Sequence, residues 1–285
     1  MTAPLSRLAG ALWARPLALA PASYAAISRQ LADAIRARLD GQARDAGQQA
    51  DDSKPPEPYR VEGGVAVVEM RGVMGRHLSQ LAMECGGCDV DRVMDALAEA
   101  DEDPAARAVV LLVDSPGGSV AGIAEAARRV REMRKFCVAV APDLCASAAY
   151  WIASQADALY VGETACVGSV GVYCALLDSS ERYAREGYRV DVFRSGENKG
   201  AGIPGTSLTD AQREQLQAEV DSLASIFKRA VKNARPAVAD DLLDGRTLTG
   251  EAAVEAGLAD AVGNLADAIA DAAETANTPL DTLGD

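Results

Sequence analysis

The chain has 285 residues, 49% of them hydrophobic, enough to bury a sizeable core in one or two domains. A formal charge of -14 argues against a nucleic-acid partner, because binding a phosphate backbone depends on clustered Lys and Arg. No apolar run reaches the length of a bilayer span, and most of the six cysteines lie in apolar runs, which points to a reducing compartment rather than a disulfide frame.

The N-terminal "RLAGALWARPLALAPASYAAI" imitates a signal peptide, but Arg15 and Pro16 interrupt its apolar run. Residues 1–50 read as a helical extension and 51–60 as a linker, since "DDSKPPEPYR" is too polar and proline-rich to build a core. From residue 61 the pattern changes. "VAVVEM" and "AVVLLVD" are short, β-branched, nearly continuous apolar runs, as expected of strands covered on both faces. Between them "DVDRVMDALAEADED" predicts a helix, with Val90, Val93 and Leu97 on its apolar side.

The alternation continues. "SVAGIAEAARRVREMR" predicts a helix capped by Ser119, followed by a strand over 136–141, a helix over 147–156 and a strand over 158–162. "SVGVYCAL" and "YRVDVFR" read as further strands, with a short helix near "SSERYAREG" between them. Thr209 and Gln212 form the pair expected of a capping box and open a long helix ending near Pro236. A short helix and strand in "LTGEAAVEAGLADAVG" close the domain at about 265, and 266–285 read as a helical tail. Strands separated by helices imply an α/β fold with a mainly parallel sheet.

Three stretches carry candidate chemistry. Ser147, in "DLCASAAYWIAS", stands where a strand-like run gives way to a helical one, a position that suits a nucleophile or a helix cap. The chain's one histidine, His77, lies about seventy residues earlier in a loop-like stretch, so a base for Ser147 is sought elsewhere. A lysine can serve when burial favours its neutral form, and among five lysines only Lys199 sits in a glycine-rich loop after a strand end, "RSGENKGAGIPG". Taken alone, a lysine in such a loop is more often simply solvated.

The third stretch is "VVLLVDSPGGSVAG", where Gly117 and Gly118 let backbone N–H groups point at developing negative charge, as in an oxyanion hole. A phosphate cradle and a purely structural turn are the rival readings; neither G-x-x-x-x-G-K-[ST] nor G-x-G-x-x-G occurs. Cys145 is a rival nucleophile two residues from Ser147. "CGGC" at 85–88 reads as loop thiols, since neither a second CxxC nor further histidines complete a metal site. No metal and no cofactor is called for.

Together, "DSPGG", "ASAAYWIAS", "GSVGV", the Lys199 loop and "GRTLTGEAAVEAGLAD" resemble peptidase family S49, the signal peptide peptidase A family, over residues 61–265. The resemblance implies a ClpP/crotonase-like fold and a serine endopeptidase with a Ser-Lys dyad. Ser147 attacks the peptide carbonyl, Lys199 is the base, and the amides of Gly118 and Ala148 hold the oxyanion. Gly117 and Ser169 support them, Ser169 by orienting the lysine, and the edge at Gly168, Val170 and Gly171 pairs with an extended substrate. Small residues around Ser147 suit small or medium apolar side chains.

Within the family the chain is most similar to tailed-phage prohead proteases and C-type minor capsid proteins. That similarity implies head proteins (scaffold, portal or coat) as substrates, capsid maturation in the host cytoplasm within the prohead, a homo-oligomer, and an N-terminal docking or self-cleaved extension. "KGAGIP" lacks the Asp that often follows this lysine in phage relatives, which puts the loop geometry in question. Alternatives are a structural capsid component with an idle site, a bacterial signal-peptide-degrading relative, and a crotonase-like acyl-CoA enzyme.

Overall fold

The computed structural model describes residues 17–19 and 58–277. Its strands are β1 (Leu17–Leu19), β2 (Arg60–Glu62), β3 (Val65–Arg71), β4 (Val73–Gly75), β5 (Gly87–Asp89), β6 (Ala108–Asp114), β7 (Gly117–Ser119), β8 (Cys137–Ala141), β9 (Leu144–Ala146), β10 (Ala158–Val161), β11 (Cys166–Gly168), β12 (Thr247–Leu248) and β13 (Ala261–Val262). The helices are α1 (Gln80–Glu84), α2 (Val90–Glu102), α3 (Ile123–Arg131), α4 (Ala148–Ala153), α5 (Ser180–Arg185), α6 (Asp210–Ala234), α7 (Gly250–Glu255) and α8 (Leu265–Asn277), with a 3₁₀ turn at Asp240–Leu242.

The continuous apolar runs become a central sheet in the order β13-β10-β8-β6-β3-β2, parallel throughout except for β2 against β3. Successive side chains of a strand point to opposite faces, so runs without polar alternation require a cover on both sides. Val65, Val67, Val110, Leu112, Val138 and Val140 share one face with Ala268 and Ala272 of α8. Ala66, Val68, Leu111, Val113 and Ala139 share the other with Val93, Leu97, Ile123 and Val130 of α2 and α3. The stretch expected as a tail thus covers one face of the chain's own sheet.

Each central strand from β3 to β10 leads within a few residues into a short strand of a second layer: β3 into β4, β6 into β7, β8 into β9, β10 into β11. These form two small sheets, β1-β7-β4-β5 and β12-β11-β9. The bends depend on residues without side chains: a Cβ on Gly72 would stand 2.2 Å from the Gly86 carbonyl oxygen, and one on Gly162 2.1 Å from that of Pro142. The second layer lies beyond the carboxyl ends of the parallel strands, where open α/β sheets place their ligands.

Four expectations differ. Ser119 is not the cap of α3. It lies in β7, Gly122 precedes the helix in the left-handed region at φ 83°, and Ser119 Oγ accepts from the Ala121 N–H at 3.3 Å. "SVGVYCAL" and "YRVDVFR" form no strand among the described residues, although Tyr173 carries an isolated bridge. Leu17–Leu19 is extended, paired antiparallel with β7, rather than helical. The remainder of the expected 1–50 helical extension lies outside the described residues.

Candidate active site

Ser147 occupies the single residue between β9 and α4, at φ 57° and ψ -121°. A non-glycine residue there costs about 1–3 kcal/mol and persists only where its surroundings hold it. Three bonds do so. The Ser147 N–H donates to the Gly168 carbonyl at 2.7 Å, its carbonyl accepts from the Trp151 N–H at 2.9 Å, and the neighbouring Ala146 N–H donates to Ser115 O at 3.1 Å. Its hydroxyl makes no cap bond to the helix, so of the two roles suggested by its position the side-chain cap is absent. The residue is 1% exposed.

The alanine-rich sequence after Ser147 explains how α4 can sit wholly inside the molecule: every residue from Ala148 to Ala153 is buried. Its larger side chains anchor it. Tyr150 Oη donates to Leu258 O at 2.9 Å, and Trp151 stacks on Phe227 of α6 with ring centroids 4.5 Å apart. At the far end, buried Arg235 donates to the carbonyls of Ser154 (3.2 Å) and Ala156 (3.3 Å) and pairs with Asp260, satisfying groups that a helix end leaves open.

The "DSPGG" turn forms the wall beside α4, which packs against β7. Ser115 is fully buried; its Oγ donates to Gly72 O at 2.6 Å and accepts from the Gly117 N–H at 3.2 Å. Gly117 takes φ 91°, open to glycine alone without strain. Gly118 lies against β4 so closely that a Cβ would stand 2.1 Å from the Met74 carbonyl oxygen. The Ala148 N–H, first in its helix, has no intrahelical acceptor.

The third wall is β11 and its exit. Gly168, whose carbonyl holds Ser147, has φ 112°, and Ser169 has φ 55° with its N–H donating to Arg246 O at 2.7 Å. Ser169 and Val170 are buried and Gly171 is half-buried. Among the described residues only three non-glycine residues have positive φ, and two are Ser147 and Ser169. Backbone strain of this kind concentrates at functional sites.

Lys199 is placed differently. It is exposed in the loop between α5 and α6, with its N–H on Gly196 O at 3.1 Å, and among the described residues its side chain makes no hydrogen bond or ion pair. The chain brings Ser147, Ala148, Gly117, Gly118, Gly168 and Ser169 into one region and leaves Lys199 outside their hydrogen-bond network. Cys145 is fully buried, and burial pushes its thiol far above the usual range, away from the thiolate a nucleophile needs. His77 is exposed and paired with Asp91. In "CGGC", Cys85 is exposed while Cys88 is buried in β5 with its thiol pushed up to about 12, and no cluster of potential metal ligands occurs among the described residues.

Two contributors escaped the sequence reading: Ser115, whose hydroxyl fixes the glycine turn, and β1, which lies along β7. The turn-forming habit of serine before Pro-Gly-Gly is a usable signal for the first. Nothing local signals the second, which is a pairing across about a hundred residues.

A strained, buried serine at a strand-to-helix turn stands with glycine-lined backbone on two sides, in a second layer above the mostly parallel sheet of a mixed α/β protein. Comparison narrows the class: residues 129–278 match the model of Peptidase family S49, and the chain belongs to that family. It is 31% identical over 226 residues to "Capsid assembly protease C" of Escherichia phage lambda, covering 77% of this chain and 51% of that protein. It is 29% identical over 229 residues to "Head-tail preconnector protein GP5" of Enterobacteria phage P21, covering 79% and 46%. Against "Putative signal peptide peptidase SppA" of Enterococcus faecium it is 29% identical over 179 residues, covering 61% and 52%. The chain therefore spans about half the length of these relatives. No helix among the described residues is long and apolar enough to cross a membrane.

Proposed function

We propose that the chain is a serine endopeptidase that cuts phage head proteins (scaffold, portal or coat) during capsid maturation in the host cytoplasm, within the assembling head. Membership of family S49 and likeness to a capsid assembly protease support it. The observation that carries it is the buried Ser147, strained at φ 57° beside the glycine turn at 117–118. Residues 61–265 form the peptidase unit, following an extension over 1–50 and a linker over 51–60. The bending of each central strand into a second layer supports a ClpP/crotonase-like fold.

In this reading the substrate lies extended along the second layer and meets the backbone at Gly168, Val170 and Gly171. Ser147 Oγ attacks the scissile carbonyl while its proton passes to the neutral amine of Lys199. The oxyanion takes N–H groups of Gly118 and Ala148, worth about 2.7–4 kcal/mol per donor. Collapse breaks the C–N bond, the amine returns the proton to the leaving nitrogen, and water then hydrolyses the ester. Ser169 orients the lysine.

Lys199 is exposed in one chain, so the working form is a homo-oligomer in which a neighbouring copy covers the loop and encloses its side chain. A second reading, a capsid component with an idle site, is favoured by that same exposure and by the likeness to a protein named for the head-tail preconnector. Co-expression with the neighbouring head proteins, followed by mass spectrometry of their termini, separates the two. New termini that disappear in Ser147→Ala and Lys199→Ala, each slowed on the order of 10⁴-fold or more, are expected. Unchanged cutting in both variants excludes the dyad; no cutting by wild type, with assembly unaffected by Ser147→Ala, favours the idle site.

A further inference from the structure

The strand that carries Gly118 is already paired on both edges. β4 lies along one, with Met74 opposite Gly118, and β1 lies antiparallel along the other, with Leu17 opposite Ser119, Ala18 opposite Gly118 and Leu19 opposite Gly117. A polypeptide that is to bring a carbonyl to the Gly118 amide while adding to this sheet has only the second edge to use, because β4 belongs to the continuous turn out of β3. β1 and an incoming strand therefore exclude one another.

The sequence of β1 fits such a role. Pro16 and Pro21 have no N–H to offer a ladder, so a pairing segment here is confined between them.

We propose that Leu17–Leu19 are a built-in ligand of the peptide-binding edge of β7: this segment of the chain holds the substrate strand's place and has to leave before another polypeptide enters. The proposal rests on the reading of this site as a peptidase cleft and adds its regulation.

The test reads binding rather than cleavage. A fluorescent peptide copying residues 14–23 is titrated into the full chain carrying Ser147→Ala, with and without Ala18→Pro, which removes an N–H from β1 and breaks its pairing. If β1 holds the edge about nine-tenths of the time, the open fraction is about one-tenth, and Ala18→Pro binds the peptide about tenfold more tightly. Hydrogen exchange at the Gly118 amide rises in the same variant. An unchanged denaturation midpoint in this variant shows that the fold survives.

Equal affinities with and without the proline, or no binding by any of these chains, overturn the inference. The readout uses a chain without the serine hydroxyl, so absence of peptidase activity in wild type would count against the proposed function and leave this binding result to stand or fall separately.

Discussion

At the scale of single residues, the backbone of Ser147 and its side chain make separable demands. The positive φ costs about 1–3 kcal/mol for any residue with a Cβ, and only glycine escapes it. Ser147→Ala keeps the Cβ and its strain; Ser147→Gly removes both. Both variants lose the hydroxyl, so both are expected to resist labelling by a serine-directed fluorophosphonate. Their stabilities should differ: Ser147→Gly is expected to exceed Ser147→Ala by about 1 kcal/mol, once relief of strain is set against the larger backbone entropy glycine loses on folding. Urea unfolding of the pair measures it, and an alanine variant as stable as the glycine one would mean that Ser147 is not held in a strained conformation.

At the scale of elements, α4 depends on what grips its far end. Arg235 donates to two buried carbonyls, Ser154 O and Ala156 O, and pairs with Asp260, which also accepts from the Leu159 N–H at 2.7 Å. Arg235→Met keeps an unbranched apolar side chain but leaves those carbonyls without the guanidinium, and is expected to cost about 2–4 kcal/mol, seen as a lower urea midpoint at unchanged slope. Asp260→Asn, which retains a carbonyl acceptor, should cost less. A result with the two variants equal would place the stability elsewhere than in the carbonyl bonds.

The same elements show what a sequence can carry. The central strands were legible because β-branched runs without polar alternation have to be covered on both faces, and α6 because Thr209 and Gln212 do form the reciprocal cap. Ser147, Gly117 and Gly118 were legible from residue type beside a strand end. β7, with three small residues, has no periodicity to detect, and β1 depends on a partner about a hundred residues away. "YRVDVFR" alternates as a strand should, yet alternation specifies a pairing habit rather than a partner, and none runs beside it among the described residues.

At the scale of the molecule, that segment belongs to a stretch from about 175 to 208 that contributes no residue to either core cluster and carries Lys199. Leu177 is 90% exposed and Phe193 97%, with Tyr188 also open to solvent, whereas the sheet-covering residues are buried almost without exception. Large apolar side chains scattered singly on a surface need no explanation, but Tyr188 and Phe193 belong to a stretch that has the pattern of a strand and no ladder among the described residues. In the proposed oligomer a second copy would supply a strand partner for the backbone and apolar cover for the side chains. Covering this stretch would also take the Lys199 loop out of water, which is the condition under which a lysine becomes a base. The expected consequence is a coupled loss. Phe193→Ser and Leu177→Ser should lower the sedimentation coefficient of the assembly and the rate of Ser147 labelling together, while the urea midpoint of the dissociated chain stays within about 0.5 kcal/mol of wild type because neither side chain touches the core. Loss of assembly with labelling unchanged would show that the neighbouring copy is not needed to complete the site.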